Sequence, residues 1–223
     1  MNATELKSGG EQNLLRTSEA ACQNVAALYN SGNNCDKAVF LALQDLALLP
    51  KDMWDFTDLY SDKPDDTDQF LCKVLAAGAV AIYLDILTCR FKELGIVNSK
   101  IPEPIERVNE LMNVLLTETA AGKHEKLATF DPFQWDTYLD QETVTEQMRN
   151  EFKQRAARFF DDFYQAFDCR DCVDILGFDP LSYELYDEET QEQIESGEWM
   201  EKCIDCMQHI VKAFIHPNGV PVS

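Results

Sequence analysis

The sequence predicts an all-α protein, a helical bundle of about six helices with no significant sheet. Three observations carry that expectation. Apolar residues recur at spacings of three and four along most of the chain. Capping and stop residues bracket those stretches. No sustained run of alternating Val, Ile or Thr interrupts them. With 223 residues, 45% of them hydrophobic, the chain can bury a core without disulfide staples. A single helical domain over 1–223 is expected, with about 100–140 as an inserted elaboration.

The first helix is read from NLLRTSEAACQNVAALYNSG, which sets Leu14, Leu15, Ser18, Cys22, Val25 and Leu28 or Tyr29 at helical spacing and closes at Gly32. Asn34 caps the second, CDKAVFLALQDLALLP, with Val39, Phe40, Leu43, Leu46 and Ala47 on one side and Pro50 as its stop. The short connection makes these two antiparallel. The longest helix runs from about 66 to 94, with Leu71, Val74, Leu75, Gly78, Ala81 and Ile82 facing inward. Because 74–84 is apolar nearly all round, it is the expected centre of the bundle.

Pro102 and Pro104 open PIERVNELMNVLLTETAAG, closed by Gly122. The segment HEKLATFDPFQWDTYLD is less regular and reads as a loop or short-helix insert. From Thr143, VTEQMRNEFKQRAARFFDDFYQAF lines up Met148, Phe152, Ala156, Phe159, Phe160, Phe163 and Phe167 as a core stripe. The last helix is WMEKCIDCMQHIVKAF.

Charge narrows the function. Asp and Glu number 40 against 19 Lys and Arg, a net charge of -21. Such a surface repels phosphate backbones and anionic lipid, so neither nucleic acid nor a membrane is an expected partner. The run VLAAGAVAIYL stops at Asp85, short of the roughly twenty residues that a span needs. The N-terminus, MNATELKSGGEQ, carries neither an apolar secretory core nor an Arg-rich transit pattern, so a cytoplasmic location is expected. There, eight cysteines point to metal binding, redox chemistry or buried thiols rather than to a disulfide framework. Phosphate-cradling glycine loops, a serine elbow and a His-Glu-x-x-His motif are absent from the sequence.

The strongest local signal is a pair of Cys-x-x-Cys motifs, in FDCRDCVDILGF and EKCIDCMQHIVKAF. Spacing of three puts Cys169 with Cys172, and Cys203 with Cys206, on one side of a turn or helix. Two such pairs can supply four thiolates for tetrahedral zinc or for an iron-sulfur cluster. His209 continues the second pair at the same spacing and is a candidate extra ligand. Asp168, Asp171, Asp174, Glu201 and Asp205 flank the motifs and disfavour thiolate charge, which suits a bound cation better than a fast nucleophile. Cys35 follows Asn34 at a helix start, where the dipole is expected to lower a thiol pKa. Cys72 is placed in the first turns of the central helix, facing small residues. Cys22 and Cys89 read as small buried hydrophobes.

The order of these segments resembles the C-GCAxxG-C-C family of redox-active helical proteins, which also occurs as a domain of split-Soret cytochromes. NNCDKAVFLALQDL looks like the family's opening helix, and LCKVLAAGAVAIYL is similar to its central cysteine followed by an apolar helix. FDCRDCVDILGFD resembles its Phe, Cys, Leu-Gly pattern, with Cys172 in the cysteine position. KCIDCMQHIVKAF is similar to its last cysteine helix, matched by Cys203. The family's glycine-rich run before the central cysteine is replaced here by an acidic segment over 52–68. The resemblance implies a functional set of Cys35, Cys72, Cys172 and Cys203, with Cys169 and Cys206 as auxiliary thiols.

The expected function is a redox-active or metal-binding protein. Its converging cysteines hold an iron-sulfur centre, a metal ion or a reversible disulfide, for electron transfer or redox sensing rather than catalysis. The expected partner is a redox protein or a basic protein surface, and a homodimer is left open. The alternative is a non-enzymatic acidic interaction module, with a structural zinc at the two Cys-x-x-Cys pairs or no metal.

Overall fold

In a computed structural model of the chain, the described residues are 3–60, 71–96, 101, 103–119, 129–139, 143–178 and 188–215. They are helical, as expected, and among them an isolated bridge between Leu71 and Asp171 stands in place of any strand. The helices are α1 (Ala3–Asn30), α2 (Cys35–Asp45), α3 (Lys73–Glu93), α4 (Pro104–Thr119), α5 (Pro132–Trp135), α6 (Glu146–Phe167), α7 (Cys172–Leu176), α8 (Glu188–Ser196) and α9 (Glu198–Ile215). The expected six correspond to α1, α2, α3, α4, α6 and α9. The additional α5, α7 and α8 have four, five and nine residues. Such lengths leave too few turns for an apolar period to show.

Helix α3 is the axis, packing against α2, α4, α6 and α9. Every residue from Val74 to Leu84 is buried, because neighbours cover all of its sides. Among the described residues it is the one helix long and apolar enough to cross a membrane, being longer than the apolar run alone. Its apolar surface is spent on the bundle core instead. At Gly78 the ring of Phe159, from α6, lies over the position a Cβ would occupy.

Two helix boundaries differ from expectation. Helix α2 stops at Asp45, before Pro50, because the chain turns back on itself: Leu48 N–H and Leu49 N–H both donate to Leu43 O, at 2.9 and 3.3 Å. Ala47 takes a left-handed conformation there (φ 57°), and it is exposed rather than inward-facing. Helix α3 starts at Lys73, so Leu71 and Cys72 precede the helix instead of lying in its first turns. Residues 61–70 and Gly122, to which parts of two predicted helices extend, lie outside the described residues.

The described stretches 103–119 and 129–139 join the same core. Leu111, Met112, Leu115 and Leu116 of α4 are fully buried in it. A buried polar cluster fastens this segment to α3. Arg107 Nε lies 3.0 Å from Asp136 Oδ2, with both side chains wholly removed from solvent. The hydroxyl of Tyr83, on α3, donates to the same Asp136 oxygen. Phe91 and Tyr138 lie against the guanidinium, 5.8 and 5.5 Å from its carbon.

Helix α6 begins at Thr145, whose side chain accepts from Met148 N–H, and buries Met148, Phe152, Ala156, Phe159, Phe160 and Phe163 as the stripe predicts. It ends at Asp168 in a left-handed conformation (φ 55°), a geometry Asp tolerates better than most residues. That turn aims the following cysteines back toward the start of α3.

Candidate functional site

Four segments meet at one end of the bundle. Cys72 N–H donates to Arg170 O at 2.8 Å, and Leu71 bridges Asp171 in antiparallel sense. This short backbone stitch sets Cys72 beside the Cys169–Cys172 segment. Asp171 caps α7, which begins at Cys172 and packs on α9, the helix carrying Cys203 and Cys206. Cys35 opens α2, which also packs on α9, and Tyr29 stands near the C-terminal end of α1.

The electrostatics of these side chains report their proximity. The Cys35 thiol is pushed well above the ordinary thiol value by burial first, then by Asp36 and by the charges that Cys203, Cys72 and Cys172 would carry. Cys203 is pushed up to about 12, by burial and by Cys72, against the hydrogen bond that the Tyr29 hydroxyl donates to it. Cys35, Cys72, Cys172 and Cys203 are therefore brought together, and Tyr29 stands among them. Tyr29 was legible in the sequence only as an inward-facing residue of α1.

Two further thiols join them. Cys169 is pushed up to about 11 by burial, then by Asp174, Cys72, Asp171 and Asp168, and its sulfur donates to Phe167 O at 3.2 Å. The Cys72 and Cys206 thiols are coupled, which raises the Cys206 pKa and lowers that of Cys72. The Cys72 side chain closes no standard helix cap. Burial and the charge of Asp171 oppose its thiolate, while the backbone N–H groups of Leu75 and Val74 at the start of α3 favour it.

The expectation for Cys35 is thus reversed. Its place at a helix start does not lower its pKa, because burial among other thiols outweighs the dipole. The depressed thiol is Cys72, at the start of α3. The acidic flank acts as expected on Cys169, whereas burial and Cys72, not Glu201 and Asp205, raise Cys203.

The remaining candidates separate from the centre. His209 packs against Phe163 and Phe167, with ring centroids 6.0 and 5.4 Å away. Burial lowers its pKa, and its charged neighbours are Asp162 and Lys212 rather than any cysteine. A folded pKa below the unfolded value, ordinarily about 6.5, leaves this contribution to stability intact above that value and removes it as pH falls through the folded pKa. Unfolding free energy measured between pH 7 and 5 should fall less steeply in His209→Phe than in the parent. Cys22 is buried as expected, with its pKa raised by burial, but Cys89 is exposed toward the other end of α3.

All eight cysteines are outside disulfides. The donor chemistry of the cluster would suit zinc or iron, which favour thiolates. The positions fit less well: among the described residues, no group of three or more His, Cys, Asp or Glu side chains is placed to hold a metal ion.

No family model matches the chain, and no curated protein or solved structure shows significant similarity to it.

Thiol reactivity should follow these environments. At pH 8, Cys169 is ionised to about one part in a thousand and Cys203 to about one in ten thousand, from pKa values near 11 and 12, and the thiolate is the reacting form. Timed alkylation of the native protein, read by peptide mass mapping, should label exposed Cys89 well before either.

Proposed function

We propose that this chain is a redox-active thiol protein, whose converging cysteines cycle between thiol and disulfide for electron transfer or redox sensing. The observation that carries the reading is the mutual influence of Cys35, Cys72, Cys172 and Cys203, from four separate segments, with Tyr29 beside Cys35, Cys172 and Cys203. Neighbouring thiols raise one another's pKa and oppose simultaneous ionisation, so most of the set is held protonated and reduced. Cys169 and Cys206 extend the set, and Cys72 is the member whose pKa is lowered rather than raised.

The strongly acidic surface selects the partner. A redox protein presenting a basic face would be attracted over several ångströms, and an acidic one repelled. Reversible thiol chemistry of this kind suits a reducing compartment such as the cytoplasm. Zinc or an iron-sulfur centre is the other chemistry that this donor set invites, and holding either would require several thiols to turn toward a common point.

Anaerobic purification, metal analysis and thiol counting before and after a mild oxidant test the reading. A loss of thiols in pairs, reversed by dithiothreitol, is the expected result. A visible sulfur-to-iron absorption or stoichiometric zinc would move the function to a metal centre. Metal-free protein whose eight thiols all survive oxidant until it is denatured would overturn the proposal.

A further inference from the structure

Beside the thiol cluster lies a cavity of about 210 Å³, walled by Leu176 and Phe178 at the end of α7, Gln193 of α8, and Glu198, Trp199 and Lys202 of α9. Local geometry makes it. Helices α7 and α8 each run into a glycine in the left-handed conformation, Gly177 (φ 84°) and Gly197 (φ 74°), so the chain turns sharply at both ends. Helix α8 folds back on α9, and Trp199 Nε1–H donates to Ile194 O at 3.3 Å across that turn. The ring of Phe178 meets the indole edge-on, with centroids 6.2 Å apart and planes at 83°. Trp199 is thus held from two sides while it lines the cavity. Gln193, Glu198 and Lys202 are exposed, so the cavity opens to solvent.

Size and charge restrict what enters. Sites for drug-sized ligands occupy roughly 300–1,000 Å³, whereas this one has room for about seven waters at about 30 Å³ each. One long side chain fits; a bulky cofactor does not. Glu188, Glu189, Glu192 and Glu195 of α8, with Glu198 and Glu201 of α9, make the surroundings negative. Against them stands Lys202, whose ammonium donates to Leu176 O at 3.2 Å. An anion is repelled before it reaches that lysine, and a cation is drawn in. Tryptophan offers the best aromatic face for a cation, and a planar guanidinium can stack on it while pairing with a carboxylate through two parallel N–H bonds. An ammonium lacks that planar fork.

The cavity also lies close to the thiols. Leu176 is four residues past Cys172 on α7, and Trp199 four before Cys203 on α9, each about 6 Å along its helix at about 1.5 Å per residue. Both cysteines are half-buried rather than sealed. We propose that this cavity is the docking site of a basic partner protein, anchored by an arginine side chain laid on Trp199 and paired with Glu198. This rests on the redox reading above for what the partner exchanges, and it names the surface on which the two proteins meet. A buried tryptophan–arginine anchor within a polar rim is the arrangement that dominates many protein interfaces.

The test titrates the reduced full chain with a hexaarginine peptide and, separately, with hexalysine, at about 0.15 M salt, where exposed charges are screened beyond about 8 Å. The reporter is the indole N–H resonance of Trp199, told apart from those of Trp54 and Trp135 by its loss in Trp199→Phe. Hexaarginine should shift that resonance, leave buried Trp54 unmoved, and bind about fivefold more tightly than hexalysine. Trp199→Leu and Glu198→Gln should each weaken hexaarginine binding by about fivefold to tenfold. Glu146→Gln, an equal charge change at the exposed start of α6, should leave it within about twofold of the parent. Equal affinity for the two peptides, or equal losses from Glu198→Gln and Glu146→Gln, would overturn the anchor and leave only a diffuse acidic surface. A Trp199 shift produced by acetate and not by hexaarginine would overturn it too, making Lys202 an anion site. Glu198→Gln keeps the test decisive should Trp199→Leu fail to fold. Thiol counting under oxidant separates this proposal from the redox reading. No binding by a chain whose thiols oxidise in pairs overturns the docking site alone, whereas binding by a chain with inert thiols upholds the site and overturns the redox reading.

Discussion

Asp136→Ala should remove about 3–5 kcal/mol of stability, the range seen when one partner of a buried ion pair is deleted. Arg107 and Asp136 are fully buried, and among the described residues the guanidinium nitrogens have the Asp136 ion pair but no well-formed hydrogen bond. The carboxylate is therefore the principal compensation for a charge lodged between Phe91 and Tyr138. Removing it also strips the Tyr83 hydroxyl of its acceptor, and burial keeps that hydroxyl from ionising. Against a typical domain stability of about 5–15 kcal/mol, the loss should shift a urea midpoint far toward zero. The double replacement Arg107→Met with Asp136→Leu should recover much of it, because the expense lies in the unpaired charge and not in the missing attraction. Equal destabilisation of the single and double variants would show that the ion pair itself, not its desolvation, holds the segment.

Gly78→Leu should cost about 3 kcal/mol or more, at the upper end of overpacking penalties. No glycine geometry is needed here, since Gly78 sits in regular helix. What matters is the ring of Phe159, which occupies the space of a Cβ. Moving that ring disturbs its contacts with Phe160 and Phe214, whose centroids lie 5.8 and 6.4 Å away, so the strain spreads from α6 to α9. Thermal unfolding of Gly78→Leu beside Gly78→Leu with Phe159→Ala measures the coupling. Partial rescue by the second change is expected, and its absence would place the clash elsewhere.

The helices were legible where an apolar stripe persists over several turns, as in α6. They were less legible where the hydrophobic pattern outlasts the helix. Leu46 through Leu49 continue an apolar run, yet the backbone folds back onto Leu43 O with no glycine to announce it. The same thing happens in reverse at Leu71 and Cys72, whose side chains suit a helix while their backbone pairs with residues 170 and 171. The gathering of Cys35, Cys72, Cys172 and Cys203 followed from an order of short motifs. The coupling of Cys72 to Cys206 did not, because spacing within one helix says nothing about which thiol a distant segment will approach. The Arg107–Asp136 pair left no local trace either: an arginine in an amphipathic helix reads as surface until its partner's position is known.

The bridge between Leu71 and Asp171 closes a loop covering much of the chain, and the thiol centre exists only once that loop is closed. The order of events in folding follows. The bundle must assemble, at the entropic expense of a long-range closure, before Cys72 meets any sulfur of the C-terminal segments. A fragment holding both Cys-x-x-Cys motifs would keep the most conspicuous feature of the sequence and still lack the centre. The thiols would then report on whether the whole chain is native, with their reactivity rising together whenever it opens.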